Sequence, residues 1–189
     1  SQLIEPFVSV RAQPMTDALA REGLVRSRRS LQRAVLHEAG DVEREDLALA
    51  SLFGGLCLAN SGLGAVHGFA APAGGMYHAP HGAVCAALLP HVMAVNLRAL
   101  AQRAPTLRAR YDELAKLLCA DASARAEDGV RWVDGLCRTL QVPGLGHYGM
   151  TRADLPTLVD KAERASSMRG NTLVLTRDEL TEIAELALS

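Results

Sequence analysis

Two histidines, His67 and His81, are the residues of this chain best suited to chemistry, and they stand fourteen positions apart. Both lie in the segment 62–96, GLGAVHGFAAPAGGMYHAPHGAVCAALLPHVMAVN. Between them the Gly- and Pro-rich stretch Pro72-Ala73-Gly74-Gly75 can break one helix and fold its end back onto the start of the next. Imidazole nitrogens brought together in this way offer a divalent cation two of the ligands it requires. Two ligands do not complete a site, and a histidine on a Gly/Ala-rich helix has an ordinary structural use as well. The other histidines carry weaker signals. His91 follows Pro90 and suits an interhelix hydrogen bond, His78 sits in a loop, and His37 and His147 read as surface or loop residues.

The residues around the two histidines form a longer pattern. Gly62-Leu63-Gly64-Ala65-Val66-His67-Gly68 is followed by Pro80-His81-Gly82, then by Leu88-Leu89-Pro90-His91-Val92 and Asn96. This pattern resembles the C-terminal, all-helical domain of the iron-containing (group III) alcohol dehydrogenases, within the dehydroquinate synthase-like superfamily. That family shows a run of the form GLGxVHGxAHxLG…PHGxxxAxLLPHVxxxN. The opening stretch from Leu3 to Leu19, and the closing stretches Ser166–Asn171 and Leu175–Leu180, resemble the family's first and last segments. The resemblance therefore covers essentially the whole chain.

The resemblance implies an all-α fold, a multi-helix bundle, over a single domain of residues 1–189. It implies a divalent metal, Fe2+ or Zn2+, with His67 and His81 on two ligand positions. Gln2 falls on a third ligand position, where the family carries a histidine, and a neutral amide oxygen is a weaker ligand than imidazole. The remaining family ligand, an Asp four residues earlier, would lie before Ser1. Ala71 stands where family members often carry a second histidine, one turn after the first, and Ala71 cannot relay a proton. Phe69, Ala71 and Tyr77 are expected to shape a substrate pocket. The same resemblance implies a small-molecule alcohol or carbonyl substrate, with a metal polarising its oxygen as a Lewis acid and hydride exchanged with NAD(H) or NADP(H). The family binds that nucleotide mainly on an N-terminal α/β domain, which is expected to be absent from these residues. Gly62-Leu63-Gly64 reads as part of a helix and follows no strand, so it is not a pyrophosphate-cradling loop. The expected function is the metal-bearing half of an alcohol–aldehyde or alcohol–ketone oxidoreductase, inactive without its nucleotide half. A maleylacetate reductase-like or polyol dehydrogenase-like member of the superfamily, or a non-catalytic helical module, are the alternatives.

Composition agrees with a helical bundle. Of 189 residues, 49% are hydrophobic but only 4% are aromatic, which favours close Ala/Leu helix packing over sheets. A net charge of -1 provides no basic face for nucleic acid. Arg26, Arg28, Arg29 and Arg33 read as a solvated helix face. The four cysteines, Cys57, Cys85, Cys119 and Cys137, show no CxxC pairing and read as buried free thiols in a reducing, cytoplasmic setting. No apolar run reads as long enough to span a membrane.

The elements that must position the histidines read as follows. Residues 1–10 continue a helix with no capping pattern before it, as if cut from a larger protein, and Leu3, Ile4 and Phe7 are expected to be exposed and to favour a homo-oligomer. Helices are expected over about 15–37, 43–71, 81–103 with a kink at Pro90, 107–119, 125–140 and 154–167. A last helix is capped by Thr176 with Glu179 three residues on.

Overall fold

The computed structural model covers residues 1–189 and contains nine α-helices and no strand. The chain opens with a short helix α1 (Ile4–Val8), all of whose residues are buried. Helix α2 (Pro14–Val35) starts with proline in its first turn, where the missing N–H costs nothing. Helix α3 (Asp41–Ser61) folds back along α2 as a hairpin. Helices α4 (Ala65–Tyr77) and α5 (His81–Arg103) form a second pair. A 3-10 turn at Pro105–Leu107 leads into α6 (Arg108–Cys119), and α7 (Ala126–Thr139) pairs with it. Two 3-10 turns, Leu145–Tyr148 and Arg152–Asp154, precede α8 (Leu155–Arg164). A last 3-10 turn, Ser166–Gly170, precedes α9 (Arg177–Leu186), and the Thr176 hydroxyl accepts the Glu179 N–H as the capping pattern requires.

Helix α5 is the axis of the fold. It packs against α4, α6, α7 and α9, and thirteen of its residues are buried, from Val84 to Leu100. By length and composition α5 is apolar enough to cross a membrane, contrary to the sequence reading. Its most apolar window is 72% buried against its neighbours, which is how the central helix of a bundle satisfies the same composition. Forty buried residues, drawn from every helix, make one continuous core.

Four further expectations need correction. The helix expected over 43–71 is two helices meeting at 103°. The bend falls at Gly62, whose φ of +67° suits glycine, so Gly62-Leu63-Gly64 is a corner and not helix. Conversely, Pro72-Ala73-Gly74-Gly75 does not break α4, which runs on to Tyr77 and ends at His78 in the left-handed region (φ 50°). Packing of α4 against α5 and α8, with Ala73 buried, outweighs the cost of about 3 kcal/mol for an internal proline. Leu3, Ile4 and Phe7 are buried, so they offer no surface for self-association. The exposed apolar side chains include Leu52, Leu56 and Leu58 on α3.

The arginine run is likewise more than a solvated face. Arg26 and Arg29 of α2 both bind the buried Asp46 carboxylate of α3, at 2.9 Å and 2.6 Å, and Ser30 donates to it at 2.5 Å. Arg33 pairs with Glu43. The Arg29 and Ser30 hydrogen bonds hold the Asp46 carboxyl at about 2, against its ordinary 3.8. A carboxyl depressed in the folded state stabilises the fold above its unfolded value and loses that contribution as pH falls through about 2. Unfolding followed by circular dichroism should therefore show stability falling between about pH 4 and pH 2, and Asp46→Asn should flatten that fall. Truncation of the enclosed Phe69 ring to alanine should lower unfolding free energy by about 3–5 kcal/mol in urea titration.

Candidate metal centre

The site begins with the first turn of α4. Its N–H groups have no partner within the helix and form the positive end of the helix dipole. Glu5 from α1 supplies one partner: its Oε1 accepts the Val66 N–H at 2.7 Å. Asn171 supplies another, its Oδ1 accepting the Ala65 N–H at 3.3 Å. The second Glu5 oxygen, Oε2, accepts from His67 Nδ1 at 2.5 Å. A carboxylate can only accept, so the Nδ1 proton is fixed there and Nε2 is the atom His67 presents to the site. Burial alone would lower the His67 pKa, but hydrogen bonds with Cys85 and Glu5, with their charges, push it up to about 9.

The second half comes from α5. Pro80 caps the helix, His81 opens it, and Cys85 follows one turn later on the same face. Cys85 Sγ lies 3.5 Å from His81 Nε2 and 3.7 Å from His67 Nε2. The two rings are tilted by 53° with centroids 5.3 Å apart, and the three ligand atoms all fall within 4.8 Å of one another. His67 and Cys85 are buried, whereas His81 is exposed. The three open onto a cleft of about 350 Å³ that Gln2, Ser27 and Ala50 also line. Two imidazoles and a thiol converging at one mouth are a donor set of the kind that binds borderline and soft cations, so the residues present fit a divalent metal.

The structure thus brings together His67, His81 and, at the rim of the same cleft, Gln2, whose side chain lies against Gly54 of α3. It does not bring the expected substrate-pocket residues with them. Phe69 is two positions beyond His67, about 200° around the helix, and is wholly enclosed in the core. Ala71 is exposed one turn beyond His67. Tyr77 is ten positions on, about 15 Å along the axis, and its hydroxyl bonds Asp154, which raises its pKa. His91 is half-buried beside Asp134 and Cys137, and burial lowers its pKa. Sequence reasoning missed three participants. Cys85 reads from the sequence as a buried free thiol, although the spacing His81-x3-Cys85 on one helix is an available signal. Glu5 and Asn171 gave none, because their roles depend on contacts across 61 and 106 positions.

The fold and cleft define an all-helical domain whose convergent side chains are of metal-ligating type. The chain belongs to the iron-containing alcohol dehydrogenases and corresponds to their C-terminal domain: the family model "Fe-containing alcohol dehydrogenase family, C-terminal" matches residues 2–188. Similar curated proteins include alcohol dehydrogenase 4 of Saccharomyces cerevisiae, 30% identical over 97% of this chain and 47% of that protein. The 1,3-propanediol dehydrogenase of Klebsiella pneumoniae is 31% identical over 95% of this chain and 46% of its own length. Among solved structures, a 1,3-propanediol oxidoreductase superposes with a TM-score of 0.89 at 29% identity, covering 98% of this chain and 48% of that one. The Oenococcus oeni alcohol dehydrogenase gives 0.86 at 28% identity, again over 98% of this chain and 48% of its own. The chain therefore spans about half the length of the relatives it matches.

Glu5→Gln keeps the shape and one acceptor oxygen but removes the charge that orients His67. Affinity for zinc, measured by competition with a chromophoric chelator, should fall about 10–100-fold.

Proposed function

We propose that residues 1–189 form the metal-binding half of an NAD(P)-dependent oxidoreductase that interconverts small alcohols with aldehydes or ketones. The observation that carries this reading is the convergence of His67 Nε2 and His81 Nε2 on one open cleft, with His67 locked by Glu5. The relatives support the substrate class, since they are named as alcohol, 1,3-propanediol and methanol dehydrogenases and a lactaldehyde reductase. A divalent ion bound there supplies Lewis-acid polarisation of an alcohol or carbonyl oxygen.

The chain's own residues do the positioning. Glu5 holds the His67 ring against rotation and keeps its Nδ1 proton in place. His81, exposed at the start of α5, closes the cleft from the other side. Ser27, Ala50 and Gln2 offer a rim with little charge, so no side chain of the rim competes with the ligand groups. Ala71 exchanges no proton, and His78 stands at the far end of α4. In this reading proton exchange falls to water in the open cleft. The nicotinamide nucleotide is held by a part of the protein outside residues 1–189, because the Gly-rich corner 62–64 joins two helices and offers no strand-to-helix phosphate cradle.

Elemental analysis after titration with zinc and with ferrous iron under anaerobic conditions tests the metal half of the reading. The wild-type chain should retain close to one equivalent, and the His67→Ala/His81→Ala double variant should retain almost none. Equal uptake by the two would remove the site. Fused to the nucleotide-binding half of a relative, the chain should reduce NAD+ with 1,3-propanediol or ethanol as substrate, and the double variant should not.

A further inference from the structure

Cys85 is the feature that the reading so far leaves unused. Its thiol is 3% exposed, yet it is not simply packed among apolar side chains. It sits between the two imidazole nitrogens that face the cleft, at 3.5 Å and 3.7 Å. Those separations can be compared with a coordination geometry. A tetrahedral zinc with Zn–S of about 2.3 Å and Zn–N of about 2.0–2.1 Å requires S···N edges of about 3.6 Å. Both observed edges agree with that value to about 0.1 Å. The other three cysteines have no such surroundings. Cys57 and Cys137 donate to the backbone carbonyls of Thr16 and Ala86, and Cys119 is half-buried near the end of α6.

We propose, resting on the metal-binding reading above, that Cys85 Sγ is a direct ligand beside His67 and His81, and that its thiolate biases the centre toward zinc over ferrous iron. On binding, the Cys85 S–H bond breaks, the proton leaves to solvent, and the sulfur lone pair forms the metal–sulfur bond, with no change of oxidation state. Thiolate is a soft ligand and favours zinc, whereas carboxylate and other oxygen donors favour harder cations. The helix favours the pairing, because His81 and Cys85 are one turn apart on the same face of α5. His67, on α4, is fixed independently by Glu5 of α1. The three donors thus stand on two packed helices at the mouth of one cleft.

Cobalt(II) titration of the chain provides a readout independent of activity. The wild type should bind one equivalent with a thiolate-to-cobalt charge-transfer band in the near ultraviolet and the intense visible bands of a tetrahedral ion. Cys85→Ala and Cys85→Ser should lose the charge-transfer band and bind zinc about a hundredfold more weakly, while Cys137→Ala should keep both. In competition at equal concentrations the wild type should take up zinc in preference to ferrous iron, and Cys85→Ala should narrow that preference. Far-ultraviolet circular dichroism of each variant reports whether it is folded, and the isosteric serine replacement serves where alanine is not. Cobalt bound without the band, or zinc affinity unchanged in Cys85→Ser, would overturn the ligand assignment and leave the two-histidine site intact. Metal uptake that also survives His67→Ala/His81→Ala would overturn both. A band and affinity lost with Cys85 but with ferrous iron still preferred by the wild type would overturn the selectivity.

Discussion

One buried carboxylate, Glu5, joins the two requirements of the structure. Its side chain is almost inaccessible, and a charge so placed is tolerated only when both oxygens are fully engaged. One oxygen meets the Val66 N–H at the positive end of α4, and the other meets His67 Nδ1 one residue on. Because the two partners are adjacent in sequence, the carboxylate fixes where α4 begins and which way His67 faces in a single contact. Asn171 completes the cap at Ala65 and is itself held by a reciprocal pair of hydrogen bonds with Asn96 of α5. Thus α1, α4, α5 and the segment before α9 all meet at the first turn of α4. The sharp corner between α3 and α4 follows from that meeting. A Cβ on Gly64 would come within 2.9 Å of both Glu5 and Asn171, and one on Gly170 would strike the Leu63 carbonyl at 2.0 Å.

The sequence made some of this legible and hid the rest for physical reasons. Helix α5 could be read to its ends, because Pro80 precedes it and the apolar run is continuous. The Thr176–Glu179 cap could be read because both members lie within four residues. The corner at 62–64 could not. Ala/Leu composition continues across it, and what turns the chain is the approach of Glu5 and Asn171 from distant segments. The break expected at Pro72 failed in the opposite sense, since a local cost of about 3 kcal/mol is smaller than the burial gained by continuing α4. The histidines were found because their spacing and surroundings carry the family pattern. Cys85 was passed over because cysteine in an apolar helix is also what a plain core looks like.

Electrostatic organisation elsewhere follows the same rule as Glu5. Asp46 is buried in α3 yet satisfied by Arg26, Arg29 and Ser30 of α2, and so pins the α2–α3 hairpin. Arg110 of α6 donates to the Phe7 carbonyl, pairs with Asp17 at 2.6 Å and lies over the Phe7 ring at 4.3 Å. The open C-terminal end of α1 is thereby closed by a side chain from another helix. Thr172 donates to the Val8 carbonyl at 2.7 Å for the same purpose. A five-residue helix has too few internal bonds to hold itself, so α1 persists because neighbouring elements satisfy its ends. That is the condition for Glu5 to be where the site needs it.

The two histidines differ in a way that bears on how the centre works. His67 is buried and held by a charge-assisted hydrogen bond, so its ring is set before any ligand arrives. His81 is exposed at the first residue of α5, where the helix has no side-chain cap, and its ring is constrained mainly by Cys85 one turn on. The cleft thus pairs one donor whose ring is fixed with one whose ring is freer to turn. Cys85 touches both rings, being buried like His67 but belonging to the helix of His81. Replacing Cys85 would therefore loosen His81 as well as remove a donor, whereas replacing Glu5 would loosen His67 together with the first turn of α4.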